Sequence, residues 1–281
     1  MSRQASVQME VSMHTVDGDY TIGYGRHSSP REGRCAMEWV AHLAGEPHSD
    51  EPRCVSPVLR AFCISFNDDL DDVTRQRLRP YLARTIGTDT DGRDEERAWM
   101  AMDWLVRVHT PTWLALAGLD GAARRLRTLP PVVARDELAV AHEALQTVRA
   151  EARGAWSAGR RGSRVFAWSA GRVASREVAW ASAAGAAWAA ARLGVGDIVG
   201  DRVRVAARAT AGDAAGAHVR AREGRATRAS ARIAASSILR PTIEQLQRSG
   251  FELLDRMLPT VALVLPTASD AAAVCGVPIE D

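Results

Sequence analysis

The chain of 281 residues contains no lysine, so all 36 of its basic residues are arginine. This absence is typical of a GC-rich genome, and it removes the argument that arginine was selected here for bidentate phosphate binding. Runs of about 18 apolar residues are missing as well, which excludes a predicted membrane-spanning helix. No basic segment followed by an apolar one opens the sequence, so export is not predicted. We expect a cytoplasmic protein without a membrane partner.

Cysteine is scarce, and in a chain of this length without secretory context we expect reduced thiols rather than a disulfide framework. The spacings C-x2-C and H-E-x-x-H are absent, as are helix-turn-helix, zinc-finger and RRM signatures. The apolar content of 46% is nevertheless sufficient for a sizeable core. The four cysteines are Cys35, Cys54, Cys63 and Cys275.

Charge is unevenly distributed, although the net charge is only +2. Residues 149–235 carry 16 Arg against 6 Asp and Glu, whereas the segments on either side are net acidic. Arginines interleaved with tryptophans can contact phosphates and stack on bases, which is one hypothesis for this basic segment. The other is contact with protein, either the acidic part of the same chain or a partner, and we expect this one.

The first 130 residues predict a helical domain that opens with a small β-hairpin. Two loosely alternating runs within residues 7–26 flank Asp17-Gly18, a favoured hairpin turn. Apolar residues then recur at helical spacing from Cys35 to the helix-ending Gly45. The fold class is therefore mainly α, a helical bundle with a small hairpin.

Two proline positions refine this prediction. Ser56 followed by Pro57 is a strong helix start, because serine caps the first turn and proline favours its first position. Asp94 is expected to cap a further helix that continues to Gly118, and the apolar residues of this helix lie all round its axis, which marks a buried helix. Pro111 should bend that helix.

After Pro130-Pro131 the composition changes to alanine, arginine, glycine and serine. The phrase Trp-Ser-Ala-Gly-Arg occurs at 156–160 and again at 168–172. Because alanine has the highest helix propensity, we predict a helical repeat region that packs on the first domain or extends from it. The predicted organisation is a helical domain over 1–130, an Ala/Arg/Trp-rich helical repeat region over 131–258 and a C-terminal tail over 259–281.

Residues 35–54 concentrate the reactive side chains of the chain. On a helix with about 100° per residue, Cys35, Glu38 and His42 fall within an arc of about 60°. Cys35, His42 and Cys54, with Glu38 or Asp50, would then form a borderline-soft site for zinc or iron. The alternative is that these polar residues satisfy one another at the edge of a helix.

A thiol-dependent enzyme is a second hypothesis for the same block, because a thiolate in the first turn of a helix is favoured by the N-terminal amides. The candidate catalytic residues are Cys35, Glu38, Asp50 and Asp103. Asp103 precedes Arg107 by four residues on an otherwise apolar helix. These two side chains should pair in the bundle interior, either with each other or with Glu38, Asn67, Asp68 or Arg97. Alternatively, they form the polar floor of a small-molecule pocket.

The block that runs from Cys35-x-Met-Glu38 through Ala-Gly-Glu46 and Ser-Asp50 to Pro-x-Cys54 resembles a group of hypothetical proteins from actinobacteria and their phages. The pattern is CxMEx5AGEx2SDxPxC. The similarity continues through Asp103-Trp104, the Ala/Trp/Arg repeats and the closing leucine-rich helix, so it covers residues 34–258. This resemblance implies kinship and brings no activity with it.

We therefore expect a non-catalytic interaction or scaffold protein that acts through its Ala-rich helical region. Its partner would be another protein or a second copy of the chain. The first alternative is a metal- or thiol-dependent enzyme or ligand-binding protein that uses residues 35–54. The second is nucleic-acid binding through residues 149–235.

Overall fold

The computed structural model describes residues 20–158, 183–222 and 228–259, and it confirms the mainly α class. No strand occurs in these ranges. A 3-10 turn (Gln76–Leu78) and a π-helical turn (Leu105–His109) accompany the α-helices. The α-helices are α1 (Ala36–Leu43), α2 (Pro57–Asp69), α3 (Asp72–Arg75), α4 (Arg79–Thr85), α5 (Asp94–Trp104), α6 (Thr110–Leu116), α7 (Asp120–Arg127), α8 (Arg135–Ala158), α9 (Ala184–Gly194), α10 (Ile198–Arg222) and α11 (Arg228–Met257).

The Ala-dense helices pack on the helices of the first half. α9 lies against α2 and α5, and α10 lies along α8 and against α6. Alanines on the inner faces of α9 and α10 are buried, and their small side chains let the helices approach closely. One cluster of buried apolar residues extends from Ile22 to Leu258 and crosses the predicted boundary at 130. The tail over 259–281 lies outside the described residues except for Pro259.

The predicted hairpin over 7–26 is not supported. Residues 1–19 lie outside the described ranges, and the described part, 20–26, contains no strand. The repeated Trp-Ser-Ala-Gly-Arg phrase also lies outside them, except for its first three residues at 156–158.

Side chains from later in the chain bond the backbone where the second hairpin strand was expected. The amide of Gln76 donates to the Ile22 carbonyl at 3.0 Å and accepts from the Ile22 N–H at 2.9 Å. Asn67 donates to the Gly23 carbonyl at 3.1 Å, and the Gly23 N–H donates to the Arg34 carbonyl at 2.7 Å. The backbone groups are therefore satisfied without a β-ladder.

The predicted start of α2 is confirmed. Ser56 caps α2, and its hydroxyl accepts a hydrogen bond from the Leu59 N–H at 3.3 Å. Pro111 lies in the first turn of α6, directly after the π-helical turn. Since proline lacks an N–H and crowds the preceding turn, the wider π-helical turn accommodates it. Thr110 donates to the Leu105 carbonyl at 2.7 Å across this turn.

Buried arginines close the C-terminal ends of several helices. Arg75 donates to two carbonyls at the end of α2, at 2.6 and 2.8 Å. Arg97 donates to the Met257 carbonyl at the end of α11 at 2.9 Å, and Arg204 donates to the Val195 carbonyl after α9 at 2.7 Å. A guanidinium suits this position because helix ends carry unpaired carbonyls and partial negative charge.

Candidate functional site

Glu38 is the centre of the polar cluster in the 35–54 block, and its side chain is fully buried. It lies in the first turn of α1 and forms a capping box with Cys35. One carboxylate oxygen accepts from the Cys35 N–H at 2.7 Å and from His27 Nδ1 at 2.8 Å. The other accepts from the His27 N–H at 2.7 Å. Burial alone would raise the pKa of Glu38, but these hydrogen bonds outweigh it and lower that pKa, so the carboxylate is ionised.

Two imidazoles meet at this carboxylate. Because His27 donates through Nδ1, its neutral form carries the lone pair on Nε2. Nε2 of His48 donates to the His27 carbonyl at 3.1 Å and lies 3.6 Å from Glu38 Oε1. The cluster therefore joins the chain before α1 to the loop after it.

Glycines enclose the His27 ring. A methyl group at Gly23 would lie 2.8 Å from His27 Cε1, and one at Gly33 would lie 2.8 Å from His27 Nε2. Gly33 also has a φ of +135°, which favours glycine. The close approach of the Gly23 and Gly33 backbone thus fixes the His27 imidazole. It also covers the Nε2 edge of the ring, which a substrate would have to reach because Nδ1 is bonded to Glu38.

The thiols of Cys35 and Cys63 stay protonated at neutral pH. Burial raises the pKa of Cys35 to about 12, and the nearby Glu38 carboxylate adds to this effect. Burial also raises the pKa of Cys63 to about 12, with a further contribution from Cys35. The buried Cys54 bonds to the carboxylate of Glu46 through its side chain and its N–H. A nucleophilic cysteine needs a lowered pKa, and the microenvironment of Cys35 does the opposite.

The proposed metal ligands lie in different environments. Cys35 and Cys54 are buried, whereas His42 is exposed and contacts the Trp39 ring edge-on at 5.6 Å. Within the described ranges, no three side chains of His, Cys, Asp or Glu form a group that could hold a metal ion. The zinc or iron hypothesis stays a prediction and gains no support from these positions.

The two candidate aspartates have structural partners. Asp50 lies 3.5 Å from Arg26, measured from Oδ1 to Nε. Asp103 accepts from Arg107 at 3.1 Å and from the Val132 N–H at 2.8 Å. Asp103 does pair with Arg107, one of the partners predicted for it, although both side chains are partly exposed rather than interior. Its bond from the Val132 N–H ties α5 to the chain before α8.

His27 was not predicted as a partner of Glu38. The signal that was available is the spacing of Cys35 and Glu38, since a glutamate three residues after a helix cap commonly folds back onto the cap. Nothing in the spacing shows which imidazole it would also hold.

A second surface lies between α8 and α10, which run parallel. Arg135 pairs with Asp197 just before α10, and some twenty residues further along, the ring of Trp156 packs directly on Gly216. The resulting groove has a volume of about 530 Å³. Seven side chains line this α8–α10 groove: His142, Gln146, Arg149, Ile198, Asp201, Arg202 and Val205.

The α8–α10 groove exposes large apolar side chains. Ile198 is 71% exposed and Val205 is 51% exposed. They are seven residues apart and so share one face of α10. Of the eight large exposed apolar side chains in the described ranges, five lie on α8, α9 or α10. Contiguous exposed apolar surface is a mark of interaction sites.

Another groove, of about 510 Å³, includes the exposed Tyr24 and Val73. Its polar side chains already have structural partners: Gln76 bonds to Ile22, and Arg75 closes α2.

The basic segment over 149–235 lies partly outside the described ranges, which omit 159–182 and 223–227. In the described part, Arg204 is fully buried. The guanidinium groups of Arg204 and Arg208 lie 5.6 and 5.8 Å from the ring centroid of Trp188. This tryptophan packs in the fold and is not presented as a platform for bases.

Comparison with family models, with curated proteins and with solved structures finds no match to this chain. Within the described ranges, no helix combines the length and the apolar character that a bilayer crossing requires.

Proposed function

We propose that this protein is a non-catalytic interaction protein that binds a protein partner through the α8–α10 groove. The observation that carries the proposal is the exposure of Ile198 and Val205 on one face of α10, within a groove that also holds polar and charged side chains. An apolar stripe with a polar rim is the usual composition of a protein interface.

The small-residue faces of the Ala-dense helices do not supply this surface. Ala206, Ala207, Ala211 and Ala214 of α10 are buried inside the fold. Close helix packing is therefore used within the chain, and the outer face of α10 is the part that remains for a partner.

The thiol-enzyme alternative has less support. Burial keeps Cys35 protonated, and the glycines around His27 cover the ring edge that would act as a base. We assign the Glu38 cluster a structural role, in which an ionised carboxylate fixes the chain on both sides of α1.

The test is affinity capture from the source cells with the full-length protein and quantitative mass spectrometry. The variant is Ile198→Ser with Val205→Ser, and the matched control is Val73→Ser, since Val73 is 83% exposed on another surface. All three positions are exposed, so thermal unfolding should change little. We expect a protein that the wild type and the control retain and the double variant loses. Identical capture by all three proteins would refute the proposal.

A further inference from the structure

We infer that a further surface of this protein, formed by Tyr20, Arg34, Trp39 and Arg79, binds an acidic segment of a protein partner. This arginine–aromatic cluster lies where α1, α4 and the chain before α1 meet. Neither α1 nor α4 forms a wall of the α8–α10 groove, so the inference goes beyond the proposed function and does not depend on it.

The four side chains form a continuous series of contacts. The Tyr20 and Trp39 rings pack with their centroids 4.2 Å apart. The Cζ atom of Arg34 lies 4.8 Å from the Trp39 centroid, and that of Arg79 lies 5.2 Å from the Tyr20 centroid. The indole N–H of Trp39 donates to the Thr21 carbonyl at 3.0 Å, which fixes this ring. Each guanidinium is therefore positioned by a ring before a partner arrives, and this lowers the ordering cost of binding.

The positive charge of both guanidinium groups lacks a balancing carboxylate. Among the described residues, neither Arg34 nor Arg79 forms an ion pair or a hydrogen bond through its side chain, and the Nε atom of each is buried and unpaired. The aromatic rings orient these groups but carry no negative charge. Burial raises the pKa of Tyr20, so its phenol is neutral at neutral pH and does not offset Arg79.

The acids nearest in the sequence are engaged elsewhere. Glu32, two residues before Arg34, accepts from the hydroxyl and the N–H of a neighbouring serine at 2.8 and 3.1 Å. Glu38 is the buried acceptor at the start of α1. Asp72, the nearest acid before Arg79, pairs with a buried arginine at 2.6 Å. The fold therefore leaves the charge of the cluster for an anion from outside.

The residue types favour a protein segment over nucleic acid as that anion. All four side chains are partly exposed, and arginine, tryptophan and tyrosine contribute most to the binding energy of protein interfaces. The Trp39 and Tyr20 rings already contact each other and the two guanidinium groups, which leaves little ring face for stacking bases. A guanidinium that lies against a ring keeps its edge open, and a carboxylate binds that edge through two parallel hydrogen bonds.

The test measures the binding of three labelled probes to the full-length protein by fluorescence anisotropy. One peptide alternates glutamate with alanine, and a second alternates glutamine with alanine. The third probe is oligothymidylate with as many negative charges as the glutamate peptide. Alternation places all glutamates on one face of an extended segment. We expect the glutamate peptide to bind at least about tenfold more tightly than the other two probes, and its affinity to fall with added salt.

Paired variants assign the binding to the cluster. Arg34→Gln with Arg79→Gln should weaken binding of the glutamate peptide about tenfold, the combined effect of two ion pairs at a partly exposed surface. The control, Arg124→Gln with Arg192→Gln, removes the same charge at exposed positions on α7 and α9 and should leave the affinity unchanged. Arg34→Lys with Arg79→Lys keeps the charge but loses the planar fork, so its affinity should fall between those of the wild type and the glutamine variant.

Four results would overturn the inference. These are equal binding of the glutamate and glutamine peptides, tighter binding of oligothymidylate, equal losses in the Arg34 and Arg79 glutamine variant and its control, and a lower Tm of that variant with wild-type peptide affinity. The double variant that tests the proposed function, Ile198→Ser with Val205→Ser, should bind the glutamate peptide like the wild type. The two proposals therefore fail independently of each other.

Discussion

Replacing Asp69 by asparagine should stabilise the protein at alkaline pH much more than at acidic pH. Asp69 is the last residue of α2, where the partial negative charge of a helix end disfavours a carboxylate. Burial raises the pKa of its carboxyl group from 3.8 to about 7, and the charge of Asp68 adds to the effect. Within the described ranges, its buried Oδ2 atom has no hydrogen-bond partner.

The sign and the size of this stability difference follow from proton linkage. An unfolded chain loses the Asp69 proton near pH 3.8, and the folded protein loses it near pH 7. Between these values the folded state binds more protons, so each pH unit destabilises it by about 1.4 kcal/mol. This loss of folding free energy is absent below the pKa of Asp69 in the unfolded chain. It reaches about 4 kcal/mol above the pKa of Asp69 in the folded protein. Asparagine keeps the shape and cannot ionise, so the variant avoids this loss.

The assay is urea unfolding of the wild type and Asp69→Asn at pH 5 and pH 8. We expect the stability advantage of the variant to be about 3 kcal/mol larger at pH 8. Asp89→Asn, at an exposed position, is the control and should show no such difference. An equal difference in unfolding free energy between Asp69→Asn and the wild type at both pH values would refute this prediction.

Three further outcomes test the packing of the site and the groove. Glu38→Gln removes the ionised acceptor of three N–H groups and should cost about 2–4 kcal/mol in urea unfolding at pH 7. Because the fold lowers the pKa of Glu38, this difference should shrink as pH falls through that pKa. Gly216→Ala places a methyl group 2.6 Å from the buried ring of Trp156 and should lower the Tm. Gly154→Ala meets no neighbour within 4 Å, so the higher helix propensity of alanine should raise stability by up to about 1 kcal/mol. A higher Tm for both Gly216→Ala and Gly154→Ala would argue against the parallel packing of α8 on α10. Cys35 and Cys63 should resist iodoacetamide in the native protein and react in urea, as peptide mass spectrometry would show.

Local signals predict those features whose interacting groups lie within about one turn of helix. The Ser56 cap and the Asp103–Arg107 pair are examples, with partners three and four residues away. The hairpin prediction finds no support in the described residues 20–26, for the opposite reason. The backbone of Ile22 is bonded by Gln76, which lies 54 residues further along, and an alternating pattern carries no record of such a partner.

The candidate site was predicted in part. Glu38 stands out in the 35–54 block, but its partner His27 lies before the block and is brought in by the close approach of Gly33. Composition also predicts close packing of the Ala-dense helices. It does not show that the small residues face inward, because that depends on how α9 and α10 fit against helices from the first half of the chain.

The guanidinium groups that close helix ends have a consequence for how this chain meets other molecules. Arg75, Arg97 and Arg204 are at most 3% exposed, so their positive charge is spent on carbonyls and aspartates inside the fold. A tally of arginines therefore exaggerates the attraction that this molecule exerts on polyanions. Lysine in place of any of the three would keep the formal charge while losing the forked contacts that hold the helix ends.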